Sequence, residues 1–363
     1  MVHPVTATSN LGRKAVTRLL GLHKPIVRLV RRRARVAEHE AMREAALTVE
    51  SEISRVVSGA RIVIAGPWLG EVGYEALYWV PFLRWVQDRF RLTPDRLTVV
   101  SRGGLEHWYK GIAGRYIDLF DVLSPDELAL RNTARQDQEE GGGRKQSRSG
   151  QLDEWLLQRL GEGAHHDAVL HPSLLFRCFR EVWQGNLPLD FLFTRTDMIR
   201  LSPPPRPRLP GLPSEYVAIK FYSGTALPDD AENIDALRSL VRTVAKQIPV
   251  VALETGVTVD EHRDYPFEGV AGVISAREWM TPRTNLGVQW ALVAHAKYFL
   301  GTCGGLAWLA PFVGVPTVAV YADDALLRPH LMIARQAGSR VGAAEFSSLD
   351  LRALRRIDAS QFC

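Results

Sequence analysis

The 363-residue chain has only three cysteines, Cys178, Cys303 and Cys363, no apolar run near the roughly 20 residues of a membrane helix, and none of the common nucleotide fingerprints. Each shortage removes a class. Three scattered thiols cannot staple a disulfide scaffold and form no Cys-x-x-Cys metal site, which fits a reducing compartment, and the expected location is the cytoplasm. The Arg-rich start lacks the apolar stretch and small-residue cleavage site of a secretory signal. GxxxxGK[ST], GxGxxG and GxSxG do not occur, so the P-loop, ordinary dinucleotide and serine-hydrolase signals are missing. His165, His166 and His171, near Asp167, match no ligand spacing, and the pairs Asp229-Asp230 and Asp323-Asp324 lack the Asp-x-Asp form suited to a divalent ion. No metal site and no cofactor is expected.

What is present describes a chain that folds. It is 46% hydrophobic and 23% charged, and long enough for two domains. Its charge is uneven: residues 1–60 hold eleven Lys and Arg against five Glu, a surplus larger than the net +5 of the whole chain, so the remainder is close to neutral. A nucleic-acid binder carries its basic stripe on the folded body, and that class is set aside. Within 15–36, Val16, Leu19, Leu20, Val27, Leu29 and Val30 alternate with arginines around Pro25. Two readings stand side by side: a basic amphipathic segment in peripheral contact with an anionic membrane, or a solvated tail.

From residue 61 short apolar runs alternate with helical stretches, the pattern of a parallel sheet covered by helices. ARIVIAG, LTVVSRGG and YIDLFDVL read as strands, and YEALYWVPFLRWV as a helix that Pro81 should kink or break. Residues 135–151 have almost nothing to bury and read as a flexible surface loop with no assigned function. Six prolines in the twelve residues 202–213 preclude helix and central strand and mark an interdomain linker. After it, Ile234, Leu237, Val241, Val244 and Ile248 define one buried helix face, among strands YVAIKFY, IPVVALE, KYFLGT and VPTVAVY. The expected organisation is a basic helical extension over 1–59, then an α/β chain of two Rossmann-like domains, 60–201 and 214–363, facing a cleft.

In open α/β sheets, ligands bind beyond the carboxyl ends of the strands. Three strand-to-helix turns qualify. Thr302, Cys303, Gly304 and Gly305 follow KYFLG, where paired glycines admit an anion to the backbone and a helix begins; glycines chosen for tight packing give the same sequence. Cys303 there is a reactive thiol or a small packing residue. KFYSGTA supplies Ser223 and Gly224 with Tyr222, and Lys220 as a counter-charge. GPWLGEVGYE carries Glu71 in a Gly-flanked loop and Glu75 at the helix start. A carboxylate in a cleft serves as a general base towards a hydroxyl, and partial burial among Trp68, Tyr74 and Trp79 would raise the pKa of such a group. Glu75 equally fits an acid favoured by the helix dipole, so Glu71 is the first catalytic candidate and Glu75 the second.

These residues resemble the two-domain GT-B glycosyltransferases, and among them the bacterial heptosyltransferases of lipopolysaccharide assembly. The likeness runs over about 216–321, through YVAIKFYSG, VVALETG and NLGVQWALVAHAKYFLGTCGGLAWLAPFVGVPTVAVY, and in the first half over IVIAGPWLGEVGYEALYWVPFL alone. It implies a metal-independent transfer of a sugar from a nucleotide-diphosphate sugar to a glycan or lipid-linked acceptor in bacterial surface polysaccharide synthesis, with the nucleotide sugar as substrate and no cofactor. It also implies a base in the first loop: Glu71 takes that place counted from the strand end, Glu75 counted back from Pro81. Trp308 stands where the family has His, Cys303 or Thr302 where it has an acid, and no Lys follows FYSG, so the donor sugar is not implied. A sugar-nucleotide epimerase, and a non-catalytic nucleotide-binding partner of a polysaccharide complex, share the expected architecture.

Overall fold

The structure, a computed structural model, describes residues 36–37, 40, 43–44, 46–59, 61–138, 146–160, 168–256, 263–325 and 327–356. The chain divides into two compact units, 1–48 and 49–363. Of the first, the described residues are helical. The amphipathic segment expected over 15–36 lies outside the described residues save for Val36, as do His165, His166 and Asp167.

Helix α1 (46–59) carries the chain into the second unit, where Val49, Ile53 and Val57 are buried in the core. These residues, at i, i+4 spacing, form an apolar stripe that needs a face to cover it. Strand β1 (Val63–Ala65) leads through a loop into α2 (Val72–Tyr74), a π turn (Glu75–Trp79) and α3 (Val80–Phe90), one continuous helical run. Pro81 does not break it. The proline takes an early position in α3, and the turn before it widens so that Val80 N–H donates to Glu75 O, five residues back.

Strands β2 (Leu97–Ser101) and β3 (Arg115–Asp118), helices α4 (Pro125–Gln138) and α5 (Gln151–Arg159), β4 (Val169–Leu170), α6 (Ser173–Trp183) and α7 (Leu189–Phe193) complete the first half, whose parallel sheet runs β3-β2-β1-β4. The loop expected over 135–151 is shorter than the composition suggests. Residues 135–138 belong to α4, Gln151 opens α5, and Gln146 between them is fully buried; 139–145 lie outside the described residues. The proline-rich stretch carries no helix or strand and is tacked down where His107 Nε2 donates to Ser202 O at 3.0 Å and His295 Nε2 to Pro204 O at 2.7 Å.

The second half holds β5 (Val217–Lys220), α8 (Ala231–Ala245), β6 (Val250–Ala252), β7 (Val273–Ser275), α9 (Asn285–Ala294), β8 (Tyr298–Thr302), α10 (Gly305–Leu309), β9 (Thr317–Tyr321), α11 (Arg328–Val341), β10 (Phe346–Asp350) and α12 (Leu351–Arg356). Its parallel sheet runs β10-β9-β8-β5-β6-β7. Taken from the other edge this is the 3-2-1-4-5-6 order of a dinucleotide-binding sheet, with β5 in first place and the order reversing between β5 and β8. In the first half it reverses between β1 and β4. The inner strands β1, β2, β5 and β6 are short and buried on both faces, as parallel sheets under helices require. Leu237 and Val241 of α8 are buried against the second sheet, with Ile234, Val244 and Ile248 half-buried beside them. No helix among the described residues is long and apolar enough to cross a membrane.

Candidate active site

Both sheets aim the carboxyl ends of their strands at one cleft. Glu71 enters it after β1, Arg102 after β2, Lys220 and Tyr222 at the end of β5, Thr255 after β6 and Gly305 after β8. The loops after β1, β5 and β8 flank the two reversals of strand order, where diverging connections leave a crevice.

Glu71 starts α2 with its backbone and leaves its side chain out of the cap: Glu71 O accepts from Tyr74 N at 3.2 Å and Glu75 N at 3.1 Å, and the carboxylate makes no capping bond. Glu75 is placed differently. It is fully buried, Oε1 accepts from the Ser101 hydroxyl and from Tyr109 Oη at 2.6 Å, and Oε2 has no hydrogen-bond partner among the described residues. Burial, opposed by those two hydrogen bonds, raises its carboxyl from the ordinary value of 4.5 to about 7. A carboxyl sealed from the cleft does not meet an acceptor, so the second catalytic candidate is a core acid.

Of the residues expected to hold a donor, Lys220, Tyr222 and Gly305 line the cleft. Lys220 Nζ lies 2.6 Å from Asp264 Oδ1 and donates to Leu253 O at 2.8 Å. Thr302 offers no free hydroxyl: buried Oγ1 donates to Tyr222 O at 2.9 Å and accepts from Tyr222 N at 2.8 Å, tying the ends of β8 and β5 together. Cys303 is buried, which pushes its thiol up to about 11 and removes it as a nucleophile. Ser223 and Gly224 lie off the cleft, their N–H groups donating to Arg263 O at 2.8 Å and Leu227 O at 3.1 Å. Gly304 is buried under the Tyr222 hydroxyl, since a Cβ there would come within 2.7 Å of Tyr222 Oη. Gly73 closes on the same turn, where a Cβ would stand 2.7 Å from Gly305 N, so the halves meet backbone to backbone. The broad anion seat expected over Thr302 to Gly305 is thereby reduced to the cleft face of Gly305.

Two charged residues of the cleft carried no motif. Arg102, 4% exposed, donates to Gly70 O at 2.9 Å and Trp68 O at 3.4 Å, and among the described residues it forms no ion pair with a carboxylate. With five N–H groups in a planar fork, it keeps donors for a ligand. Its signal was a cation directly after the apolar strand LTVVS. Asp264, which holds Lys220 and accepts from Thr255 N at 3.0 Å, had none.

Two parallel Rossmann-like sheets thus oppose their strand ends across a cleft. No family profile and no curated protein matches the sequence. Among solved structures, the chain is similar to the iron-containing dodecameric glycosyltransferase TibC of enterotoxigenic E. coli, at 16% identity and a TM-score of 0.41 over 72% of this chain and 58% of that one. It is similar to the E. coli heptosyltransferase WaaC with ADP at 14% and 0.38, covering 82% of this chain and 98% of that one. A family 9 glycosyl transferase from Veillonella parvula stands at 12% and 0.44, covering 83% and 91%. The chain thus spans 58% of the length of TibC, and likeness at these levels carries no argument about the reaction.

Proposed function

We propose that the protein is a glycosyltransferase that moves a sugar from a nucleotide-diphosphate donor to a hydroxyl of a glycan or lipid-linked acceptor. The observation that supports it is the opposition, across one cleft, of Glu71 from the first half and Lys220, Tyr222 and Gly305 from the second. In this reading the Glu71 carboxylate takes the acceptor hydroxyl's proton while that oxygen bonds to the anomeric carbon. The bond from that carbon to the diphosphate breaks, and its electron pair departs on the nucleoside diphosphate. Lys220 and Arg102 meet the growing charge, so side chains supply what a metal would otherwise provide. Both are held by protein acceptors before any ligand arrives, which lowers the reorganisation they need.

The test is Glu71→Gln, which keeps the shape and removes the base. Turnover is expected to fall by about 10²-fold or more, with nucleoside diphosphate affinity unchanged by calorimetry. Unchanged turnover removes Glu71 from the role. A rearranged donor or free sugar formed without acceptor identifies an epimerase, and binding without turnover across UDP-, GDP-, ADP- and dTDP-sugars identifies a binding module.

A further inference from the structure

The loop from β1 to α2 carries Glu71, and side chains hold most of its backbone. Gly66 N donates to Leu170 O and Trp68 N to Val100 O, each at 3.0 Å, and these two bonds prolong the β1 ladder. Beyond them Gln146 takes over. Its Oε1 accepts from Leu69 N at 2.8 Å and its Nε2 donates to Pro67 O at 2.9 Å, so one side-chain amide pairs with the loop as a neighbouring strand would.

The amide itself is fixed. Nε2 also donates to Asp153 Oδ1 at 2.9 Å, and a flipped amide would set oxygen against two acceptors and nitrogen against a donor. Asp153 Oδ2 accepts from Gly150 N at 2.9 Å, and Oδ1 lies 3.2 Å from His171 Nε2. His171 Nδ1 accepts from Ser173 N at 3.1 Å, and its Nε2, though near Asp153, forms no hydrogen bond among the described residues. Gln146 and Asp153 are almost wholly buried, and neither lines the cleft. Arg102 grips the same loop from the cleft through Trp68 O and Gly70 O. Asp153 also caps α5 through Gly150 N, while the two bonds from Gln146 to Pro67 and Leu69 set the course of the chain into Glu71.

We infer that Gln146 is a positioning residue for Glu71, acting through the backbone of residues 67–69. The inference rests on the reading of Glu71 as the base. A base works only within about 3 Å of the oxygen that carries the proton it takes, and a displacement near 1 Å costs up to about 10²-fold. Leu69 N is two residues from Glu71, so freeing it removes one of the anchors that set the carboxylate's place.

Gln146→Met keeps the volume and removes all three side-chain hydrogen bonds, to Leu69, Pro67 and Asp153, and Gln146→Ala removes the packing as well. In the full chain, Gln146→Met is expected to lower kcat by about 10-fold or more, with KM for the donor and nucleoside diphosphate affinity unchanged, and to speed amide exchange at Leu69. Should Gln146→Ala fail to fold, Gln146→Met still decides the matter. Unchanged kcat in Gln146→Met, or unchanged exchange at Leu69, overturns the inference. Glu71→Gln is assayed beside it: if that variant keeps full turnover, the base assignment has failed and the positioning role falls with it. If only Gln146→Met keeps turnover, the base assignment stands and the positioning role alone falls.

Discussion

His330→Ala is expected to lower the stability of the 49–363 unit by about 4 kcal/mol, read as a shift in the urea midpoint. His330 lies on α11, in chain order between strands of the second sheet, but its partners belong to the first half. Nε2 is 2.7 Å from Tyr74 Oη and Nδ1 is 2.6 Å from Tyr78 Oη, both on the helical run that begins beside Glu71. A neutral imidazole has one N–H and one acceptor, so one tyrosine accepts from the ring and the other donates to it. The ring also packs on Tyr74, Trp183 and Trp308, with centroids 4.9, 5.8 and 5.7 Å away. Truncation deletes a buried ring, at about 2–5 kcal/mol, and takes one partner from each of two buried hydroxyls, at about 1–3 kcal/mol each. These losses overlap, which sets the figure below their sum. His330→Phe restores the ring without the nitrogens and should recover about half. If it recovers everything, the hydrogen bonds between α11 and the first half contribute nothing.

Elements built on local periodicity were legible. The spacing of Leu237 and Val241 gave α8, the apolar runs gave β1, β2, β3, β5, β6, β8 and β9, and the proline cluster over 202–213 gave a stretch without regular structure. Glu71, Lys220, Tyr222 and Gly305 were reached by one rule, that ligands meet the chain just past the carboxyl ends of parallel strands. What escaped was decided by contacts distant in sequence. Gln146 bonds to Leu69, 77 positions away, and Thr302 to Tyr222, 80 positions away, and neither leaves a periodic trace. Such a hydroxyl looks the same in a sequence whether it faces a ligand or ties two strands. The π turn was hidden as well: Pro81 announced a disturbance, and the choice between a break and a widened turn lay with the burial of Tyr78 and Trp79, which keep the run packed. That widened turn helps seat Glu75 in the core.

Glu75→Gln should change how stability depends on pH, and the sign follows from where the proton sits. In the folded protein the Glu75 carboxyl is held near 7, and in the unfolded chain it returns to 4.5. Between these values the folded state keeps a proton that the unfolded state has released, so stability falls as pH rises. The contribution is complete below 4.5 and gone above about 7. Carrying the group from 4.5 to about 7 corresponds to roughly 3 kcal/mol of preference for the neutral form. Gln is the uncharged mimic: its carbonyl can accept from Ser101 and Tyr109 as Oε1 does, and it has no proton to lose. Urea midpoints of both proteins at pH 5, 6, 7 and 8 should therefore diverge, the variant gaining roughly 2.5 kcal/mol on the wild type across the range. Asp118, whose carboxyl burial also raises, is present in both and largely cancels in the difference. A difference that stays flat with pH would mean that Glu75 is ionised in the fold. The nearby Arg102 guanidinium, which favours the charged form, would then outweigh the loss of water around a carboxyl whose Oε2 has no hydrogen-bond partner among the described residues.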